Sequence, residues 1–109
     1  MKPYSMYLDD IRDPKTTFSV IARSSAEAID YFTCPLGCPQ YISFDHDLGG
    51  EDTAMRVVKW LVERDLDMNG EFIPKNFMFN VHSANPVGAD NIEGYLNSYL
   101  GTKKDIDES

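Results

Sequence analysis

The chain has 109 residues, 42% of them apolar, a size that sustains one hydrophobic core and hence one domain. Its 18 acidic residues against 10 basic ones leave a formal charge of −8, which repels nucleic-acid backbones and anionic membranes, so neither a nucleic-acid duplex nor a membrane is an expected partner. A phosphate ligand stays open only if carboxylates hold a divalent cation that inverts the local field.

In chain order, the opening Met1-Lys2-Pro3-Tyr4-Ser5 leads into a strand and not into an apolar signal segment, which sets the expectation of a soluble, cytoplasmic protein. Tyr4 to Leu8 reads as a buried strand that stops at Asp9-Asp10 and the Asp13-Pro14 turn. Thr17 to Ala22 is β-branched and aromatic, a second strand. Ser24 and Glu27 fit a capping box that starts a helix running to about Phe32. Prolines and a glycine in Thr33 to Pro39 end that helix. The same loop carries both cysteines, Cys34 and Cys38, which read as reduced thiols because two ligands do not make a zinc site.

Tyr41 to Phe44 forms a third strand, ending in Asp45-His46-Asp47-Leu48-Gly49-Gly50. Ala54, Val57, Val58, Leu61 and Val62 then fall on one helical stripe, and Asp65 to Lys75 is a polar loop. Phe77 to Val81 is almost wholly apolar and suits a strand covered on both faces. It ends in His82-Ser83-Ala84-Asn85-Pro86-Val87-Gly88, after which Ile92, Tyr95, Leu96, Tyr99 and Leu100 repeat the helical spacing. The expected domain covers residues 4–100, with 101–109 a charged tail that frays. Strands alternating with helices predict a small three-layer α/β fold, a mainly parallel four-stranded sheet flanked by about three helices. Between the first two strands there is no room for an ordinary helix. Either an early helix is lost or those strands pair antiparallel.

Ligands of open parallel sheets bind beyond the carboxyl ends of the strands. Three strands here end in chemically capable residues: Asp9-Asp10, Asp45-His46-Asp47, and His82-Ser83 with Asn85 behind. Clustered carboxylates repel, and a hard cation such as magnesium or manganese offsets that repulsion. Imidazoles add proton transfer near neutral pH. Arg12 is placed to clamp a phosphate, and Lys15 reads as a solvated loop charge. Each residue also has a plainer reading: Asp9 or Asp10 as a turn cap, His82 as a hydrogen-bonded core histidine, Asn85 to Gly88 as a turn into the last helix. The case for a site rests on their coincidence at one sheet edge.

The runs Leu8-Asp9-Asp10-Ile11-Arg12-Asp13-Pro14, Ser43-Phe44-Asp45-His46-Asp47-Leu48-Gly49 and His82-Ser83-Ala84-Asn85-Pro86-Val87-Gly88 together resemble the cyclic-phosphate-processing receiver-like (cREC) family, a reduced relative of response-regulator receiver domains found in bacteria and their phages. The resemblance implies that Asp9 and Asp10 are the magnesium-holding pair, Asp45 the phospho-accepting position and Ser83 the hydroxyl ending the fourth strand. No fifth strand ending in lysine is evident, and His46, Asp47 and His82 are additions to the receiver pattern. Those departures point away from a phosphorelay switch and toward hydrolysis.

The resulting expectation is a metal-dependent phosphoesterase-like protein acting on cyclic or linked nucleotide phosphates. Asp9, Asp10, Asp45 and Asp47 bind magnesium or manganese, and His82, His46 and Asp45 take catalytic roles. Arg12, Ser83, Asn85 and the backbone at Gly88 hold a small phosphate-containing ligand. The competing readings are a non-catalytic receiver-like signalling or phosphate-binding module and a small acidic protein that binds a host factor. The sequence names no protein partner.

Overall fold

The computed structural model describes the backbone of residues 3–108 and the side chains of residues 3–33 and 36–103. The elements are β1 (Ser5–Leu8), β2 (Val20–Ala22), α1 (Ser25–Tyr31), β3 (Tyr41–Phe44), α2 (Met55–Asp67), β4 (Met78–Val81) and α3 (Pro86–Glu108). All strand pairs are parallel, in the order β2-β1-β3-β4. The four-stranded parallel sheet with three helices is the expected architecture, and the β1–β2 ambiguity resolves to a parallel pair joined by residues 9–19 without a helix.

Side chains alternate across a strand, so β1 and β3 each sort into two sets. Met6, Leu8, Ile42 and Phe44 are fully buried and join Ala28 of α1, Val57, Val58 and Leu61 of α2, and Ile92 and Leu96 of α3 in one core. Helix α2 packs between α1 and α3, so the helices form a single layer over that face. On the second face lie Ser5, Tyr7, Tyr41, Ser43 and Asn80, in register across the strands. There the third layer is the 9–19 segment, whose Phe18 ring sits 5.3 Å from that of Tyr7 and 5.9 Å from that of Tyr41. Among the described residues there is no fifth strand, and β4 is an edge strand. Its expected coverage on both faces does not hold: Met78 is 66% exposed and Asn80 is open to solvent, because neither a neighbouring strand nor a second helix layer covers them.

Local signals place the elements. The Ser24 hydroxyl caps α1 by accepting from Glu27 N at 3.1 Å, while Glu27 Oε1 accepts from Arg23 N. The segment expected to leave the helix instead continues as a π-helical turn over Phe32–Leu36 and stops at Gly37, whose φ of 72° suits glycine. Cys38 beyond it is a free, half-buried thiol, and burial pushes its pKa up; the side chain of Cys34 lies outside the described residues. Asn85 caps α3, its Oδ1 accepting from Gly88 N at 3.0 Å, with Pro86 as the first helical residue. Among the described residues no helix is long and apolar enough to cross a membrane.

Helix α3 runs past Leu100, where the tail was expected to fray, through Glu108. The anchor is Asp65, expected in a polar loop but found on the buried stripe of α2. Asp65 is wholly buried, and its oxygens accept from Phe72 N (2.9 Å), Ile73 N (2.7 Å), the Tyr99 hydroxyl (2.6 Å) and Lys103 Nζ (3.1 Å). Burial raises its pKa, but the Tyr99 hydroxyl, the Ile73 N–H and Lys103 outweigh that and hold it below the usual carboxylate range. This network ties the last turns of α3 to the loop after α2.

Replacing one partner of a fully satisfied buried charge leaves the others unpaired. Asp65→Ala is therefore expected to cost about 3–5 kcal/mol in urea unfolding, against under about 0.5 kcal/mol for the exposed Lys59→Ala. Because the folded pKa of Asp65 is depressed, its contribution is complete above the ordinary carboxylate range and is lost as pH falls through the folded value. The gap between wild type and Asp65→Ala should accordingly narrow in acid.

Candidate functional site

Asp9 follows β1 directly and is 1% exposed. Its Oδ1 accepts from the backbone N–H groups of Ile11 (2.9 Å) and Arg12 (2.8 Å), the turn expected of an aspartate before a loop. Its Oδ2 faces His82 Nε2 at 3.0 Å and Arg12 Nε at 3.5 Å. Burial pushes the Asp9 pKa up, and the two backbone N–H groups with His82 overcome that, holding it below the usual range. Asp9 is thus an anion at neutral pH despite its depth.

Asp45 follows β3, the neighbouring strand, and is 6% exposed. Its pKa is raised, first by burial and then by the charge of Asp9, with His82, Arg12 and the Ser83 hydroxyl only partly opposing. Asp10 completes the group: one oxygen from each of Asp9, Asp10 and Asp45 lies within 4.8 Å of the others. Two carboxylates at adjacent strand ends with a third beside them form an all-oxygen donor set that fits a hard divalent cation such as magnesium or manganese.

These residues line a cavity of about 450 Å³ with Asp47, Ser83, Gly49 and Gly50, and Arg12 is the basic side chain among its described lining residues. Gly49 has a φ of 92°, and a Cβ there would meet Asp10 Oδ2 at 3.3 Å, so the glycine gives the carboxylate room. Asp47 is 62% exposed and stands at the rim, 2.9 Å from His46 Nδ1 and 3.3 Å from Asn85 Nδ2. Those two bonds, His46 first, hold its carboxyl below the usual range.

The structure therefore brings six of the sequence-selected residues to one cavity: Asp9, Asp10, Arg12, Asp45, Asp47 and Ser83. The others stand behind it. His46 supports Asp47 and packs against the first turn of α3, where a Cβ on Gly88 would come within 2.3 Å of its Cγ. The Gly88 N–H is taken by the Asn85 cap. His82 reaches the site through Asp9: its Nδ1 meets Ser43 Oγ at 2.7 Å and its ring stacks on Tyr7 with centroids 4.5 Å apart. A carboxylate only accepts, so His82 Nε2 carries a proton toward Asp9.

Two further residues shape the site. Arg23 Nη1 donates to the carbonyls of Asp9 (3.2 Å) and Arg12 (2.6 Å) and its Nη2 pairs with Asp13, bracing the loop that carries the acidic pair. It stands one residue past β2, so the strand-end rule that found the other residues would have found it too. Ser43 gives no such signal, because it sits inside β3.

A parallel sheet in this strand order, with an acidic pair after the first strand, an aspartate after the third and a hydroxyl after the fourth, defines a receiver-like domain. The family model of the cyclic-phosphate processing receiver domain matches residues 4–98, and the chain belongs to that family. Comparison with curated proteins and with solved structures gave no match.

Two outcomes follow from the packing. Gly88→Ala is expected to cost about 1–3 kcal/mol, measured by urea unfolding, because His46 must give way to the new methyl. A raised folded pKa means that the ionised form of Asp45 opposes folding, so stability falls as pH rises from the ordinary carboxylate range through the raised value. Asp45→Asn removes that cost, and in chelator its melting temperature should exceed that of wild type near neutral pH but not in acid.

Proposed function

We propose that this protein is a metal-dependent phosphoesterase-like enzyme acting on cyclic or linked nucleotide phosphates, with Asp9, Asp10 and Asp45 holding magnesium or manganese. The observation that carries the reading is the convergence of those three carboxylates, two of them buried, with Asp45 pushed up first by burial and then by the charge of Asp9. Burying like charges side by side is unfavourable without a counter-charge. When bound, the cation would supply charge stabilisation at a phosphate oxygen and a water of lowered pKa.

The chain's own groups take the remaining roles. Arg12, half exposed and paired with Asp9 only through Nε, presents the rest of its guanidinium to the phosphate oxygens, and the Ser83 hydroxyl orients them from beyond β4. Asp47 stands at the mouth, where a solvent-facing carboxylate can accept a proton from an incoming water. The two histidines, expected to move protons themselves, act in this proposal through the carboxylates they hold: His82 fixes Asp9, while His46 with Asn85 fixes Asp47.

Wild-type protein with magnesium or manganese should hydrolyse members of a panel of cyclic phosphates and cyclic nucleotides. Asp45→Asn should lower the rate by on the order of 100-fold or more, and His82→Ala should weaken metal affinity by about 10–100-fold in calorimetric titration. Labelling of Asp45 by acetyl phosphate, with no turnover of any cyclic phosphate, would overturn the enzymatic reading in favour of a non-catalytic receiver-like module.

A further inference from the structure

A second cavity, of about 470 Å³, opens on the sheet face that no helix covers. Its walls are aromatic: Tyr7 and Tyr41 stand on neighbouring strands and Phe18 packs against both. Asn80 of the edge strand is exposed at its border and offers both a donor and an acceptor. Lys15 and Arg12 put positive charge at one end.

This cavity adjoins the acidic one at Arg12. Arg12 lines both, and His82, which lines the second, is bonded through Nε2 to Asp9 in the first. A molecule whose phosphate sits beside Arg12 over the carboxylates can therefore extend its remaining part over the sheet face. What the face offers is flat ring surface, an amide and cationic side chains, the set that recognises a nucleobase with its sugar. The volume lies in the range of small-molecule sites.

We infer that the helix-free part of the sheet face between Phe18, Tyr41 and Asn80 is the nucleoside subsite of the phosphate site, binding the base and sugar of a nucleotide whose phosphate lies at Arg12. The inference rests on the phosphoesterase reading for the position of the phosphate, but the subsite itself is testable without metal or turnover. Rings contribute by stacking and Asn80 by hydrogen bonds to the base edge, so affinity depends on the base as well as on the phosphate.

The test uses adenosine, guanosine, cytidine and uridine alone, then each with a 2′,3′-cyclic phosphate, against base-free ribose phosphate. In nuclear magnetic resonance titrations at least one nucleoside should shift the Asn80 amide and the Phe18 and Tyr41 rings while leaving Asp47 and Gly49 in place. The corresponding nucleotide should bind roughly tenfold or more tighter than ribose phosphate. Asn80→Trp, which fills the cavity from an exposed position, and Phe18→Ala should bring the two ligands toward equal affinity by weakening the nucleotide far more than ribose phosphate. Equal affinity in the wild-type protein would overturn the subsite and spare the phosphate site; loss of ribose phosphate binding with nucleoside shifts intact would do the reverse. A dimer that forms in wild type, is abolished by Asn80→Trp and excludes nucleosides would assign the face to a second copy and also overturn the inference.

Discussion

Everything at the carboxyl edge of the sheet turns on one buried anion, Asp9. It is ionised at depth because its Oδ1 is satisfied by two backbone N–H groups of its own loop and its Oδ2 by His82 from the far side of the sheet. That anion adds to the effect of burial in raising its neighbour Asp45, and it fixes the trace of the loop that presents Asp10 and Arg12. A charge of this kind is unfavourable in isolation and tolerable when it is hydrogen-bonded on both oxygens. The network reaches three elements, since Arg23 beyond β2 braces the same loop through the carbonyls of Asp9 and Arg12.

The asymmetry between Asp9 and Asp45 separates what the two carboxylates can do. Asp9 accepts three hydrogen bonds from within the protein, and its side chain cannot swing without breaking the turn. Asp45 has fewer compensating contacts and keeps a destabilising charge, which makes it the member of the pair that gains most from a cation or a proton. Asp47, open to solvent and steered by His46 and Asn85, differs from both. Three aspartates of one chemical type therefore hold three different electrostatic positions within a single cavity.

How much of this was legible in the sequence depends on which physical rule was applied. The rule that parallel strands present their carboxyl ends to ligands picks out Asp9, Asp10, Asp45, Asp47 and Ser83, which share one cavity, because strand ends are visible as an abrupt change from apolar to polar residues. It could not say on which side of Asp9 the histidine would stand, since His82 leaves β4 toward the sheet face and not toward the loops. Asp65 was misplaced for a related reason: a buried carboxylate on an apolar helical stripe looks like the start of a loop until its partners, Tyr99 and Lys103, are brought in from α3. The unequal faces of the sheet are legible as well. In β1, Ser5-Met6-Tyr7-Leu8, and in β3, Tyr41-Ile42-Ser43-Phe44, residues with polar groups alternate with wholly apolar ones, the pattern of strands with one fully apolar face.

That alternation also explains how the fold dispenses with a helix after β1. The set facing the helices is Met6, Leu8, Ile42 and Phe44, which demands a dry covering; the opposite set carries hydroxyls, a phenol on each of two strands and the Asn80 amide, which tolerate water. A short segment with one inserted ring, Phe18, is then sufficient cover, and Ser5 and Ser19 pin its far end by exchanging backbone-to-hydroxyl bonds at 3.1 Å in both directions. Removing a helix layer leaves His82 stacked on Tyr7 at the border of an open face, where it is bonded at one nitrogen to the buried anion and at the other to Ser43. The same absence that simplifies the fold thus gives Asp9 a second approach, through an imidazole, from the side opposite the acidic loops. In a sheet covered on both faces by helices, that nitrogen and the carboxylate behind it would be sealed inside the core.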